Sequence, residues 1–384
     1  MKTLLALAAG FISLSAQPQS TDVRIECRFA PRIDRTERGN AVRYELRVHN
    51  GGRRAVRLET FQVRDASDGA LLINLADEQI PAALAVGQSR CDVAGRMVAP
   101  GGECLLYVDA NLGHEAPRML QNTIAFASET DRGNSKLVLR TVDDVGSPLG
   151  PPVGAGNWVA VHYAGWSRGH RRVFYPAGRG MVLPGRFAID FVKVLPDGTT
   201  NCGDADRPAD AVGYGDPVLA VADGRIAAVR DRVGEAATIS GNGPHDRTAA
   251  PGNYVVLALG RGRFATYEHL RPGSIRVRAG ERVRRGTELG ELGFTGDSTG
   301  PHLHFHVSNS AEPLGGEGLP FVFARFSVLG AYSDIAQLGR AGWQTTPMKR
   351  VASVRPGENS VVSFRSGASD ERSAIARCSV RTRG

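Results

Sequence analysis

The sequence predicts a mainly β protein of two modules: an N-terminal immunoglobulin-like β-sandwich followed by a second, antiparallel β-sheet domain. Three observations carry this. Short runs rich in Val, Ile, Leu and Thr recur along the chain and are punctuated by Gly and Asp-Gly pairs. Glycine, at 47 of 384 residues, exceeds ordinary usage, as a chain with many tight turns requires. A Pro/Gly stretch, VGSPLGPPVGAGN at 145–157, interrupts the strand pattern, which then resumes.

Residues 22–143 read as the sandwich. AVRYELRVHN alternates, with Val42, Tyr44, Leu46 and Val48 inward and Arg43, Glu45, Arg47 and His49 outward. CLLYVDA, TIAFASE and KLVLRTV are further short strands, and SDG at 67–69 and PGGE at 100–103 are turn material. Strands at this spacing suit two packed sheets. His49 and His114 have no ligand-type neighbour and read as solvated polar residues. Residues 144–156 are the linker. In the second module, 157–335, YGDPVLAVADGRIAAVRD reads as a hairpin turning at Asp223-Gly224, and NYVVLAL, RFATYEHL and TELGELGFTG continue the pattern. From about 336 the pattern loosens. Residues 336–384 read as a C-terminal tail, with ENSVVSF as one more strand.

The chain opens MKTLLALAAGFISLSAQPQS. Lys2, an apolar run from Leu4 to Leu14 and small residues after it read as a signal peptide over 1–16, cleaved near Ser15–Gln17. The run is too short for the roughly 20 residues that span a bilayer, so no transmembrane segment is expected. Export places the protein in the periplasm or cell envelope. Of the five cysteines, Cys91 and Cys104 suit a disulfide closing a short loop. The odd count leaves a thiol over or pairs it between chains. A 42% hydrophobic content argues against disorder. The net charge of +8 is spread along the chain rather than blocked. With export, that excess suits an anionic polymer or membrane surface better than nucleic acid.

GPHLHFHV places His302, His304 and His306 at every second position of an apolar run, so all three project from one face of a strand. A hydrolytic zinc site needs three His, Asp or Glu ligands and an open position for water, whose pKa the metal lowers to ~7. It also needs a proton shuttle and donors aimed at the oxyanion. The second module offers His162, His170, His245, His269 and the strip, and one carboxylate, Asp190, in RFAIDFVKV. Phe187, Ile189 and Phe191 take one face there, and Asp190 shares the other with Ala188 and Val192. An unpaired buried carboxylate is costly, so Asp190 needs either a metal or an ion pair such as Arg186.

These segments resemble the LytM/lysostaphin-type zinc metallopeptidases, the M23 family, over about 157–330. PHLHFHV with its lead-in GFTGDSTG resembles the family signature. RFATYEHLRPGS resembles its segment with a further active-site histidine, and GERVRRGTELGELG the hairpin between them. HRR at 170–172 with RFAIDF at 186–191 resembles the first metal motif of one branch. The resemblance implies a LytM-type antiparallel β-sheet peptidase domain holding one Zn2+ per chain. It implies that His304 and Asp190 are metal ligands and that His302 and His269 are the catalytic pair, polarising water and stabilising the oxyanion. One departure stands out. The place four residues before the aspartate, usually histidine, is Arg186, whose guanidinium stays protonated and cannot ligate. A branch that this sequence resembles carries its histidine further upstream, which points to His170, with His162 or no third ligand as the alternatives. A loop containing PAGRG and LPG could return His170 to Asp190 at modest entropic cost. His306 lies roughly 7 Å beyond His304 along the strand. It is either a hydrogen-bond partner of a ligand or a plain sheet-surface residue. His245, in SGNGPHDRTAAPGN, reads as a loop residue.

The resemblance implies a secreted zinc metalloendopeptidase that hydrolyses the peptide stems or cross-bridges of bacterial peptidoglycan. The alternative is a non-catalytic envelope adaptor that binds the wall or activates another wall hydrolase, a reading motivated by Arg186. The N-terminal module carries no visible chemistry and is open to anchoring, to wall recognition or to an envelope protein partner. A biotinyl or lipoyl carrier reading of GERVRRGTELGELG fails because VADGRI lacks the lysine it requires.

Overall fold

The structure, a computed structural model, describes residues 23–85, 90–166, 169–178, 180–364 and 378. The signal peptide expected at 1–16 lies outside the described residues. The chain divides into two compact units. One holds the residues up to Pro31 with Tyr44–Ala110 and Pro117–Thr141. The other holds Arg32–Arg43, Asn111–Ala116 and the chain from Val142 onward.

The N-terminal strands are β1 (Val23–Glu26), β2 (Arg32–Thr36), β3 (Gly39–Asn50), β4 (Val56–Asp65), β5 (Leu71–Ala76), β6 (Cys91–Asp92), β7 (Met97–Val98), β8 (Glu103–Gly113), β9 (Met119–Ala127) and β10 (Arg132–Arg140). A short helix, α1 (Gln79–Ala83), follows β5. In the first unit, β1 runs antiparallel to the second half of β3, and a separate antiparallel sheet takes the order β10-β9-β4-β7-β6 with β5 on β4. Tyr44, Leu46 and Val48 are buried, as the alternation in β3 predicts. Cys91 and Cys104 form a disulfide across their short loop.

The second unit continues with β11 (Asn157–Val161), β12 (Tyr175–Ala177), β13 (Gly180–Val182), β14 (Ile189–Val194), β15 (Pro217–Leu219), β16 (Gly224–Arg230), β17 (Asn253–Gly260), β18 (Arg263–Leu270), β19 (Arg282–Val283), β20 (Glu288–Glu291), β21 (Leu303–Ser308), β22 (Phe326–Ala331), β23 (Gln344–Val351) and β24 (Ser360–Ser363). Ten of these form one antiparallel sheet in the order β19-β16-β17-β18-β21-β14-β11-β24-β22-β23, while β12 pairs β13 and β15 pairs β20. One face of the large sheet carries the main apolar core, including Trp158, Ile189, Phe191, Tyr267, Leu303, Phe305 and Val307. Because strand side chains alternate, the same strands turn Asp190 and the histidine strip to the opposite face. β21 is interior, between β18 and β14, and all six of its residues are buried.

Two expectations about this unit are corrected. Residues 214–231 do not form a hairpin at Asp223-Gly224. β15 pairs with β20 and β16 with β17 and β19, so the chain changes sheets at that point. The segment from 336 is not merely a tail. β24 inserts between β11 and β22 with Val361 and Val362 fully buried, because two adjacent apolar residues are covered on both faces of an interior strand. Cys378 is tied to Cys202 by a second disulfide. Among the described residues no helix is long and apolar enough to cross a membrane.

Candidate active site

The register of three strands builds the centre of the site. Asp190 on β14 stands opposite His304 on β21, and His304 stands opposite Glu268 on β18. Directly opposed residues bring their Cβ atoms within roughly 5 Å, so the three side chains form a row across one face. Nδ1 of His304 lies 2.9 Å from Oδ1 of Asp190. Its other nitrogen, Nε2, faces away, 4.0 Å from Oε2 of Glu268.

His170 arrives from outside the sheet. It opens a 3-10 turn, His170–Arg172, and sets Nε2 2.8 Å from the second oxygen of Asp190, Oδ2. The approach depends on Gly185, in the 3-10 turn Pro184–Phe187 that leads into β14. A Cβ at Gly185 would lie 2.8 Å from the Cβ of His170, closer than real Cβ atoms come. Arg186, which occupies the usual ligand place, is turned elsewhere. Its Nε donates to Oε1 of Glu317 at 2.7 Å, and both side chains are buried. Asp190 is thus left to the histidines, and His170 supplies an imidazole where Arg186 offers none.

His269 and His302 complete the cluster. His269 has φ of 64°, a left-handed turn at the end of β18 that brings its ring to the same side as Glu268 although the two are adjacent in sequence. Its Nδ1–H donates to the carbonyl of Thr295 at 2.8 Å, leaving Nε2 as the free lone pair. Thr295 is itself held, since its hydroxyl donates to the Leu270 carbonyl and accepts from the Asn253 amide. Nδ1–H of His302 donates to the Gly300 carbonyl at 2.7 Å, and its Nε2 lies 3.4 Å from Oδ1 of Asp190. The two rings sit 4.8 Å apart, centroid to centroid.

Burial and neighbouring charge separate the titrating groups. Burial pushes Asp190 up, but His170 and His302 outweigh it and hold its carboxyl well below the usual range. Burial pushes Glu268 above its ordinary value, with His304 and His170 only partly opposing. Burial holds His269 well below the ordinary imidazole value, helped by His302 and His304. Burial also pulls His302 down, yet the charge and hydrogen bond of Asp190 raise it above that value.

The structure thus brings together all five residues expected at the site: His170, Asp190, His269, His302 and His304. Donor atoms of His170, Asp190 and His304 lie within 4.8 Å of one another. Two imidazole nitrogens and a carboxylate at that spacing fit a divalent ion such as zinc. The alternative ligand, His162, lies apart. Its Nε2–H donates to the Pro356 carbonyl at 3.0 Å, and its ring faces the guanidinium of Arg355. His245 lies outside this group of donors, in the loop between β16 and β17. Sequence reasoning missed Glu268, which joins His269 and His304 in a second group of donor atoms within 4.8 Å. The signal was present: an acidic residue inside the apolar strand RFATYEHL, two residues after Thr266 and so on the same face.

Residues 210–315 match the model of Peptidase family M23, so the chain carries an M23 domain. The match takes in His269, His302 and His304, whereas His170 and Asp190 precede it. An uncharacterized metalloprotease of Haemophilus influenzae is 37% identical over 103 residues, covering 26% of this chain and 18% of its own length. The peptidoglycan DD-endopeptidase ShyA of Vibrio cholerae is 41% identical over 63 residues, covering 16% of this chain and 14% of its own. The chain therefore matches less than a fifth of the length of these curated relatives. A crystal structure of a putative M23 peptidase from Pseudomonas aeruginosa aligns with 68% of this chain and 93% of its own, at 16% identity and a TM-score of 0.26.

Proposed function

We propose that the chain is an exported zinc-dependent endopeptidase that hydrolyses the peptide cross-links of bacterial peptidoglycan, working in the periplasm or cell envelope. The observation that carries this reading is the placing of His170 and His304 against the two separate oxygens of Asp190, at 2.8 and 2.9 Å, with two further histidines alongside. The M23 match and the endopeptidase names of the relatives support the substrate class.

His170, Asp190 and His304 would hold the ion. Zinc bound there supplies Lewis acidity and brings the pKa of water toward neutrality. The rest falls to the chain's own groups. Thr295 and Gly300 take the Nδ1 protons of His269 and His302, so both rings present Nε2 to the reacting atoms. His269, kept neutral by burial, accepts the proton of the attacking water at Nε2. His302, anchored on Gly300 through Nδ1, would donate from Nε2 toward the oxyanion and then to the leaving amine. The motive for the adaptor reading is weakened, because Arg186 is committed to Glu317 and His170 stands beside Asp190.

Purified full-length protein incubated with sacculi, with and without chelator, tests this. Released fragments are identified by mass, and metal content is measured in parallel. Chelator-sensitive release of fragments cut within the peptide cross-links, with one zinc per chain, is expected. Intact sacculi despite bound zinc would remove the substrate assignment, and protein without stoichiometric zinc would restore the adaptor reading.

A further inference from the structure

His306 takes no part in the chemistry above, yet it is among the most deeply buried histidines, at 1% exposure. It follows His304 by two residues on β21, so both rings lie on the same face. Nδ1 of His306 lies 3.1 Å from Nε2 of His304, and Nε2 of His306 lies 3.2 Å from the carbonyl oxygen of Pro313. A carbonyl can only accept, so Nε2 of His306 carries the proton and donates it. The neutral ring then has a bare Nδ1, which can only accept from the nitrogen that faces it. That contact requires the proton of His304 to sit on Nε2. Nδ1 of His304, which without an ion donates to the Asp190 carboxylate at 2.9 Å, is then the nitrogen whose proton an ion would replace. Glu268 stands behind the pair with oxygens 4.0 Å from Nε2 of His304 and 3.9 Å from Nδ1 of His306, beyond hydrogen-bond reach of either.

We infer that His306, anchored on the Pro313 carbonyl, is a positioning residue that fixes the tautomer and ring orientation of His304, leaving Nδ1 bare for a metal ion. This rests on the reading of His304 as a ligand. Partners of this kind orient ligand imidazoles and raise their basicity, and their loss typically costs about 10–100-fold in metal affinity.

The test uses the full chain and zinc itself, with affinity read by competition against a chromophoric chelator. His306→Leu removes the acceptor and is expected to weaken zinc binding by about 10–100-fold. His306→Gln keeps both contacts, its carbonyl accepting from His304 and its amide donating to Pro313, and is expected to stay near the parent affinity. Equal affinity in the Leu variant, or equal loss in both variants, overturns the inference. Nitrogen NMR of histidine-labelled, zinc-loaded parent protein gives a readout that needs no variant. The proton is expected on Nε2 of both His304 and His306, and a proton on Nδ1 of either ring overturns the inference. A parent protein that binds no zinc at all defeats the ligand reading itself, which separates that failure from one confined to His306.

Discussion

Asp190 and His304 are directly opposed in the register of β14 and β21, and each oxygen of Asp190 faces a different imidazole, His304 at 2.9 Å and His170 at 2.8 Å. The carboxylate is thus the hub of the site, and the roles of its neighbours can be separated by substitution.

His304→Ala removes a donor from the hub, whereas His302→Ala removes a ring that touches Asp190 only at 3.4 Å and is anchored on Gly300. The first variant is expected to lose both zinc and activity. The second is expected to keep zinc and lose about 10²–10⁴-fold in turnover, the usual worth of a proton-transfer group. Zinc content and muropeptide release measured side by side decide this, and full cleavage by either variant contradicts the assignments.

Gly185 admits His170 because it has no side chain. Gly185→Ala sets a Cβ 2.8 Å from the Cβ of His170, and one of the two backbones must move. Zinc affinity is expected to fall by about tenfold or more, as for other disturbances of ligand orientation. Chelator competition measures it, and unchanged affinity would show that the turn yields without moving the ring.

Arg186 and Glu317 are both buried, and Glu317 also accepts the Leu183 amide through its second oxygen. Glu317→Ala removes the buried carboxylate that takes both the Arg186 guanidinium and the Leu183 amide, and is expected to cost about 3–5 kcal/mol of stability. Denaturant unfolding measures the loss. A loss below about 1 kcal/mol, the worth of an exposed pair, would mean that solvent reaches the guanidinium.

His162 predicts a pH dependence. Burial, reinforced by Arg355 and Arg43, holds its imidazole well below the ordinary value. A native value lower than the unfolded one means that the unfolded chain takes up the proton first as pH falls. The stability associated with this group is therefore whole above about pH 6.5. It declines as pH drops, at up to about 1.4 kcal/mol per pH unit, until the native ring protonates. His162→Gln should flatten that acid limb in unfolding experiments run from pH 7 to pH 5, and an identical slope in the variant argues that the native ring is already free to protonate.

Part of the site was legible because it is local. A period of two places His302, His304 and His306 on one face whatever the strand pairs with. Phe187, Ile189 and Phe191 mark their face as core, which leaves Asp190 on the other. His269 was found through its Tyr-x-His-Leu segment, although its position depends on a left-handed residue at the end of β18 that no spacing rule supplies. Glu268 was overlooked because its importance comes from the residue across the sheet, not from its sequence neighbours. The hairpin expected at Asp223-Gly224 failed for a related reason. Turn chemistry reports where a chain bends, and the partners of the two flanking strands, β20 for one and β17 and β19 for the other, lie more than 20 residues away in sequence.

By itself the sequence determined which side chains could share a face, that a donor set suited to a divalent ion was present, and that Arg186 could not belong to it. Alternation along a strand and the charge on a guanidinium are local properties, independent of what lies across the sheet. Only the tertiary structure decided that His170 rather than His162 meets Asp190, that Arg186 is satisfied by Glu317, and that His306 leans on Pro313. Each of those depends on strand register and loop return, where contacts between distant segments compete and the better-packed arrangement prevails.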